Sequence, residues 1–134
     1  MAVRVKIEGI TSLKDARAAV RYGADAIGLV FVKSPRRIEV KRARRVVADL
    51  GPFVQTIGLF VDPDIDEIIS IGNAVGFDII QLHGSETAGW INEYLDAPFI
   101  KAFRPRRSSF TNQLHRFRTE LDRPHQCRAV LQKD

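Results

Sequence analysis

Four residues of this 134-residue chain have types and positions suited to chemistry on a small polar substrate: Glu8, Arg36, Gln81 and His83. Glu8 closes the run Val3-Arg4-Val5-Lys6-Ile7-Glu8 and precedes Gly9. A carboxylate at a partly desolvated strand end can serve as a general base. A salt-bridged or simply exposed glutamate is the competing reading of that position. Arg36, in Ser34-Pro35-Arg36, offers a planar, two-pronged match to a carboxylate. Its plainer role is one more arginine of a basic loop beside Arg37. Gln81 and His83 bracket Leu82, so on an extended strand both point to one side. There they can donate hydrogen bonds to substrate hydroxyls or to a reacting oxygen, or simply satisfy loop backbone. His83 has no clustered His, Cys or carboxylate partner in the sequence, so no metal site is expected.

These side chains need elements to hold them. Val3, Val5 and Ile7 alternate with Arg4 and Lys6, the period of a β-strand. Gly9 permits a tight turn, and Thr11 or Ser12 can cap a helix, with Asp15 three residues after Ser12 as in a capping box. Glu8 therefore belongs at the C-terminal mouth of a parallel-type strand, where βα architectures place their chemistry. The alternation then repeats about every 25 residues. A first helix is expected over Ser12 to Tyr22, closed by Gly23. A second strand covers Ala26 to Phe31, apolar throughout as in a strand covered on both faces. A helix over Val40 to Leu50 follows, then a strand over Val54 to Val61. Asp62-Pro63 opens a third helix that should bury Ile65, Ile68, Ile69 and Val75. A strand over Phe77 to Leu82, a helix over Glu86 to Leu95 and a strand over Pro98 to Phe103 complete the regular part. Beyond the basic Arg104-Pro105-Arg106-Arg107, the spacing of Phe110, Leu114, Phe117 and Leu121 predicts a fifth helix, and Arg128 to Gln132 a sixth strand. Strands alternating with helices imply a parallel α/β sheet.

The chain is 45% hydrophobic and 28% charged, as globular domains are. One cysteine, Cys127, excludes an internal disulfide framework and fits a reducing cytoplasm. No apolar run approaches the roughly 20 residues that span a bilayer, and no signal-peptide pattern opens the chain. A cytoplasmic protein without membrane contact is expected. Residues 104–134 hold eight basic and three acidic residues, a surplus of five that equals the net charge of +5. Such a tail can attract phosphate-bearing ligands or nucleic acid, although a solvated basic surface is its ordinary meaning. No aromatic stacking platform or helix-turn-helix pattern supports nucleic-acid binding.

Six motifs in fixed order carry a family resemblance. They are Lys6-Ile7-Glu8-Gly9-Ile10-Thr11, Gly23-Ala24-Asp25-Ala26-Ile27-Gly28, Phe31-Val32-Lys33-Ser34-Pro35-Arg36, Gly58-Leu59-Phe60-Val61, Gln81-Leu82-His83-Gly84 and Ile100-Lys101-Ala102-Phe103. Together they resemble the phosphoribosylanthranilate isomerase family, over about Val3 to Phe103. The resemblance implies one domain over 1–134 that is an incomplete (β/α)8 TIM-barrel of about six parallel strands and five helices. Residues 1–103 are family-like and 104–134 a divergent basic tail. It implies a cofactor-free Amadori rearrangement of a phosphorylated sugar–anthranilate in tryptophan biosynthesis.

The same resemblance assigns roles. The family removes a proton from C2′ of a ring-opened aminoaldose with a cysteine, where Glu8 stands here. The similar histidine-pathway isomerase uses an aspartate at that strand end, so a carboxylate base is chemically workable. Arg36 corresponds to the arginine that holds the anthranilate carboxylate, and Gln81 and His83 to the polar wall. The family's general acid is an aspartate in an L-L-D pattern after strand six. Val130-Leu131-Gln132 puts a glutamine there, and Asp134, two residues on, is the substitute acid. The resemblance further implies a C-terminally truncated chain without strands seven and eight, whose loops hold the substrate phosphate in such barrels. Strands one and six would then be open edges that invite self-pairing. Three readings stay open: an isomerase with Glu8 as base, an inactive remnant of one, and a basic binding module.

Overall fold

The computed structural model describes residues 2–104 and 109–132, with side chains described through residue 128. Asp134, the expected substitute acid, lies outside the described residues.

Six parallel strands pair in chain order: β1 (Lys6–Glu8), β2 (Ala26–Val30), β3 (Gln55–Phe60), β4 (Ile79–Leu82), β5 (Phe99–Phe103) and β6 (Cys127–Gln132). Between them run α1 (Leu13–Arg21), α2 (Val40–Leu50), α3 (Ile65–Val75), α4 (Ala88–Tyr94) and α5 (Phe110–Glu120). Because the order never reverses, every crossover places its helix on the same face of the sheet. Alternate strand residues therefore enter two different cores. Ile27, Leu29, Phe60, Ile80, Leu82 and Phe99 pack with the helices. Ala26, Ile57, Ile79 and Ile100 pack against one another on the opposite face. Among the described residues no helix covers that inner face, yet all four are buried. The sheet is curved, and the inner face is a lumen, as in a barrel wall.

Local chemistry explains most boundaries. Ser12 caps α1: its Oγ accepts from the Asp15 N–H at 3.1 Å, and the hydroxyl donates to Asp15 Oδ2 at 2.7 Å. Gly23, at φ +97°, turns the chain into β2. Helix α2 spans the residues its periodicity predicts, with Ala43 and Val46 buried and Gly51 ending it. Helix α3 departs from expectation at its start, which is Ile65 after the N-cap Asp64 rather than Asp62-Pro63, and at one side chain: Ile69 is 51% exposed, while Ile71 packs against the core. Each residue advances the helix by about 100°, so Ile65, Ile68, Ile71 and Val75 share a stripe that Ile69 leaves. Helix α4 starts at Ala88 rather than Glu86, capped by Thr87 Oγ1, which accepts from the Trp90 N–H at 3.1 Å. Phe117 and Leu121 seat α5 on the core, and the Phe117 ring meets Phe103 edge-on at 5.1 Å.

The start of β1 is tied to β2 by Asp25. Its carboxylate accepts from the Val5 N–H at 2.7 Å and from Arg4 Nη1 at 3.1 Å. The Val5 hydrogen bond outweighs desolvation and, with help from Arg4, holds the Asp25 carboxyl below the usual aspartate range. Among the described residues, β1 pairs only with β2 and β6 only with β5, so these two strands each leave one edge open. The helix-side face of β1 is also bare, with Val5 41% and Ile7 39% exposed. Among the described residues, no helix is long and apolar enough to cross a membrane.

Candidate active site

The period of β1 sends Ile7 to the helix side and both Lys6 and Glu8 to the lumen. β2 makes room for them, since Lys6 pairs in register with Ala26 and Glu8 with Gly28. A Cβ on Gly28 would lie 3.0 Å from Glu8 Cγ. From β4, Gln81 joins the same inner face, one strand period above Ile79, and is almost wholly buried. The three side chains close a triangle. Lys6 Nζ lies 2.7 Å from Glu8 Oε2 and also donates to Gln81 Oε1. Gln81 Nε2 reaches Glu8 Oε2 at 3.4 Å. Beneath it lies the apolar floor of Ala26, Ile57, Ile79 and Ile100. The Glu8 side chain remains 36% exposed, so its carboxylate is still open to a ligand.

Arg36 arrives from the loop after β2, where its own N–H donates to Ser34 Oγ at 3.2 Å. Its side chain crosses Gly9, the residue immediately after Glu8. Gly9 sits at φ +82°, and its missing side chain leaves the space that Arg36 fills. No described carboxylate forms an ion pair with Arg36. An exposed guanidinium thus stands against the residue that follows Glu8, ready for an anionic group.

His83 lies one residue beyond β4, half-buried, with its backbone N–H donating to the Phe60 carbonyl at 2.9 Å. It lines a cavity of about 610 Å³ between the loops after β3, β4 and β5 and helix α5. Asp62, Glu86, Lys101 and Arg104 line it too. Glu86 and Lys101 form a buried ion pair at 2.6 Å, their side chains 3% and 2% exposed. Every oxygen of that carboxylate is used: Glu86 Oε1 accepts from the Asp62 N–H at 2.8 Å, and Oε2 from the Gly84 N–H at 3.0 Å. Lys101 Nζ also donates to the Gly84 carbonyl at 2.7 Å. This network fixes the loop that presents His83.

The structure therefore gathers Glu8 and Gln81 through Lys6, sets Arg36 over Gly9, and places His83 on the cavity beside β5. Sequence reasoning missed Lys6, Glu86 and Lys101 as parts of the site. Lys6 could have been found from parity, because it shares a strand face with Glu8. Among the described residues, no group of three His, Cys, Asp or Glu side chains could hold a metal ion.

A one-way parallel sheet with helices outside and a polar cluster at the C-terminal ends of its inner face defines a partial (β/α) barrel with its site at the mouth. Residues 5–124 match the family model for N-(5′-phosphoribosyl)anthranilate (PRA) isomerase, and the chain belongs to that family. It is 52% identical over 106 residues to an N-(5′-phosphoribosyl)anthranilate isomerase of Pseudomonas fluorescens, covering 75% of this chain and 52% of the relative. Phosphoribosyl anthranilate isomerase from Thermotoga maritima superposes with a TM-score of 0.85 at 33% identity, over 99% of this chain and 63% of that one. A structure of the isomerase in complex with reduced 1-(o-carboxyphenylamino)-1-deoxyribulose 5-phosphate matches equally, with a TM-score of 0.85 at 33% identity, over 99% of this chain and 66% of that one. The expected fold of six parallel strands and five helices is thus the one found. The chain spans about half the length of the curated relatives it matches.

Proposed function

We propose that this chain catalyses the Amadori rearrangement of N-(5′-phosphoribosyl)anthranilate to 1-(o-carboxyphenylamino)-1-deoxyribulose 5-phosphate. One observation supports the reading above the others: the Glu8 carboxylate faces the lumen mouth, and Arg36 crosses the very next residue. In the reaction, the ring-opened substrate carries a protonated imine between C1′ and nitrogen. Glu8 takes the proton from C2′, and the electron pair of that bond moves into C1′–C2′ as the imine becomes an amine. Glu8 then returns its proton to C1′, while the C2′ hydroxyl loses its own and becomes the ketone. Arg36 grips the anthranilate carboxylate through two parallel hydrogen bonds. Gln81 and His83 supply donors to sugar hydroxyls. Asp134 is the acid proposed for ring opening. The ligand is a phosphorylated sugar–anthranilate rather than nucleic acid, the setting cytoplasmic, and the open edges of β1 and β6 are the surfaces proposed for self-association.

A second reading, a family chain without turnover, draws on the bare outer face of β1 at Val5 and Ile7. Steady-state turnover of N-(5′-phosphoribosyl)anthranilate separates the two. The enzyme reading expects measurable kcat, lost by at least about 100-fold in Glu8→Gln, and a raised KM in Arg36→Ala. No turnover by well-folded protein discards it in favour of the second.

A further inference from the structure

We infer that Lys6 is a catalytic residue of this site: its ammonium donates to the oxygen on C2′, the carbon that gives up its proton to Glu8. The inference rests on the reading of Glu8 as the base. Lys6 rises from the first position of β1 and ends 2.7 Å from Glu8 Oε2. Any carbon whose proton Glu8 removes must therefore bring its own substituents into reach of Nζ. An ammonium carries three N–H groups. Glu8 and Gln81 take two, and with the Lys6 side chain still 23% exposed the third is left for a ligand. The rest of the described inner face supplies no competing cation. Ala26, Ile57, Ile79 and Ile100 are apolar, and Lys101 bonds to Glu86 and Gly84 on the other side of the sheet.

The chemistry calls for such a group. As the C2′ proton moves to Glu8, the C2′ oxygen begins its passage from hydroxyl to carbonyl. A charge-assisted hydrogen bond to that oxygen draws electron density away, makes the C2′ proton more acidic, and strengthens as the carbonyl forms. The atoms balance without change at Lys6. The C2′ proton is delivered to C1′ by Glu8, the hydroxyl proton leaves to solvent, and Nζ remains an ammonium throughout. Gln81 keeps Nζ in place through its Oε1 contact.

A purely structural Lys6 would instead hold Glu8 and Gln81 apart from any substrate oxygen. Kinetics of the full chain decide, using Lys6→Ala and Lys6→Gln, the second keeping a side chain that can still bond Glu8 and Gln81. The expected result is a kcat about 100-fold lower in both, with KM within about threefold, the scale of a contact made chiefly in the transition state. Ethylammonium should restore turnover in Lys6→Ala, and tetramethylammonium, which has no N–H, should not. A kcat equal to wild type, a loss confined to KM, or equal rescue by both amines overturns the inference. Wild-type turnover that depends on Glu8 but not on Lys6 removes this inference alone. Turnover that is absent, or indifferent to Glu8→Gln, removes the proposed function with it.

Discussion

The Arg36 side chain lies so closely over Gly9 that a Cβ there would come within 2.6 Å of Arg36 Cδ and 3.2 Å of Nη1. Two costs follow for Gly9→Ala. The φ of +82° is a conformation that costs an L-residue roughly 1–2 kcal/mol. The Arg36 stem, exposed and flexible, must also swing aside. The expected outcome is a stability loss of about 1–2 kcal/mol and a KM raised about tenfold, the scale of one weakened charged contact. Arg36→Ala should raise KM as well, and the double variant should be no worse than the larger single effect, since both act on one contact. Additive effects would show that Gly9 does not seat Arg36.

Removing one member of the buried Glu86–Lys101 pair should be far more damaging than removing both. Lys101→Met leaves a carboxylate that is 3% exposed without its cation, a cost of roughly 3–5 kcal/mol. Glu86→Gln with Lys101→Met leaves no buried charge, and the single amide oxygen, placed as Glu86 Oε1 is, can accept from the Asp62 N–H at 2.8 Å and the Gly84 N–H at 3.3 Å. Denaturant unfolding should place the double variant well above Lys101→Met in stability. The reverse order would mean that the pair does not hold the loops after β3 and β4.

How much of this was legible before the structure differs from element to element. Helix α2 was readable to the residue because its apolar stripe at Val40, Ala43, Val46, Val47 and Leu50 is bounded by Gly51-Pro52. Strand β2 was readable because five apolar residues in a row fit a strand with a core on each side. Helix α4 was misjudged by two residues for a tertiary reason: Glu86 spends its carboxylate on Asp62, Gly84 and Lys101, which no local propensity encodes. In the site, Glu8, Arg36, Gln81 and His83 were findable by motif. Lys6 stands in the same motif as Glu8 but was passed over, because an alternating lysine in a short strand reads as solvent-facing. Only the curvature of the sheet turns that face into an interior.

Asp25 gives the fold a pH dependence of known sign. The Val5 N–H, and then Arg4, hold its folded carboxyl below the ordinary 3.8. The unfolded chain keeps the ordinary value, so the folded state binds fewer protons in the acid range. This contribution is fully present above the unfolded value and disappears as pH falls through the lowered folded one. Melting temperatures of wild type and Asp25→Asn should differ at neutral pH and converge as pH falls below the ordinary aspartate range. A gap that stays constant over that range would assign the effect to shape rather than charge.

The space for Glu8 is made by Gly28. A Cβ at that position would meet Glu8 Cγ at 3.0 Å, Cα at 3.2 Å and Cβ at 3.3 Å. Gly28→Ala therefore pushes Glu8, the base of the proposed reaction, by a few tenths of an ångström, against both side chain and backbone. A displacement near 1 Å costs about 100-fold in rate, so about tenfold is expected here in kcat. Stability should fall modestly, because strain of about 1–3 kcal/mol exceeds the 0.5–1 kcal/mol, roughly, that a strand gains on losing a glycine. Gly89→Ala is the control, since its nearest neighbour would be Thr87 Oγ1 at 3.8 Å, and kcat should stay at the wild-type value. Equal kcat in all three proteins would show that the position of Glu8 does not set the rate.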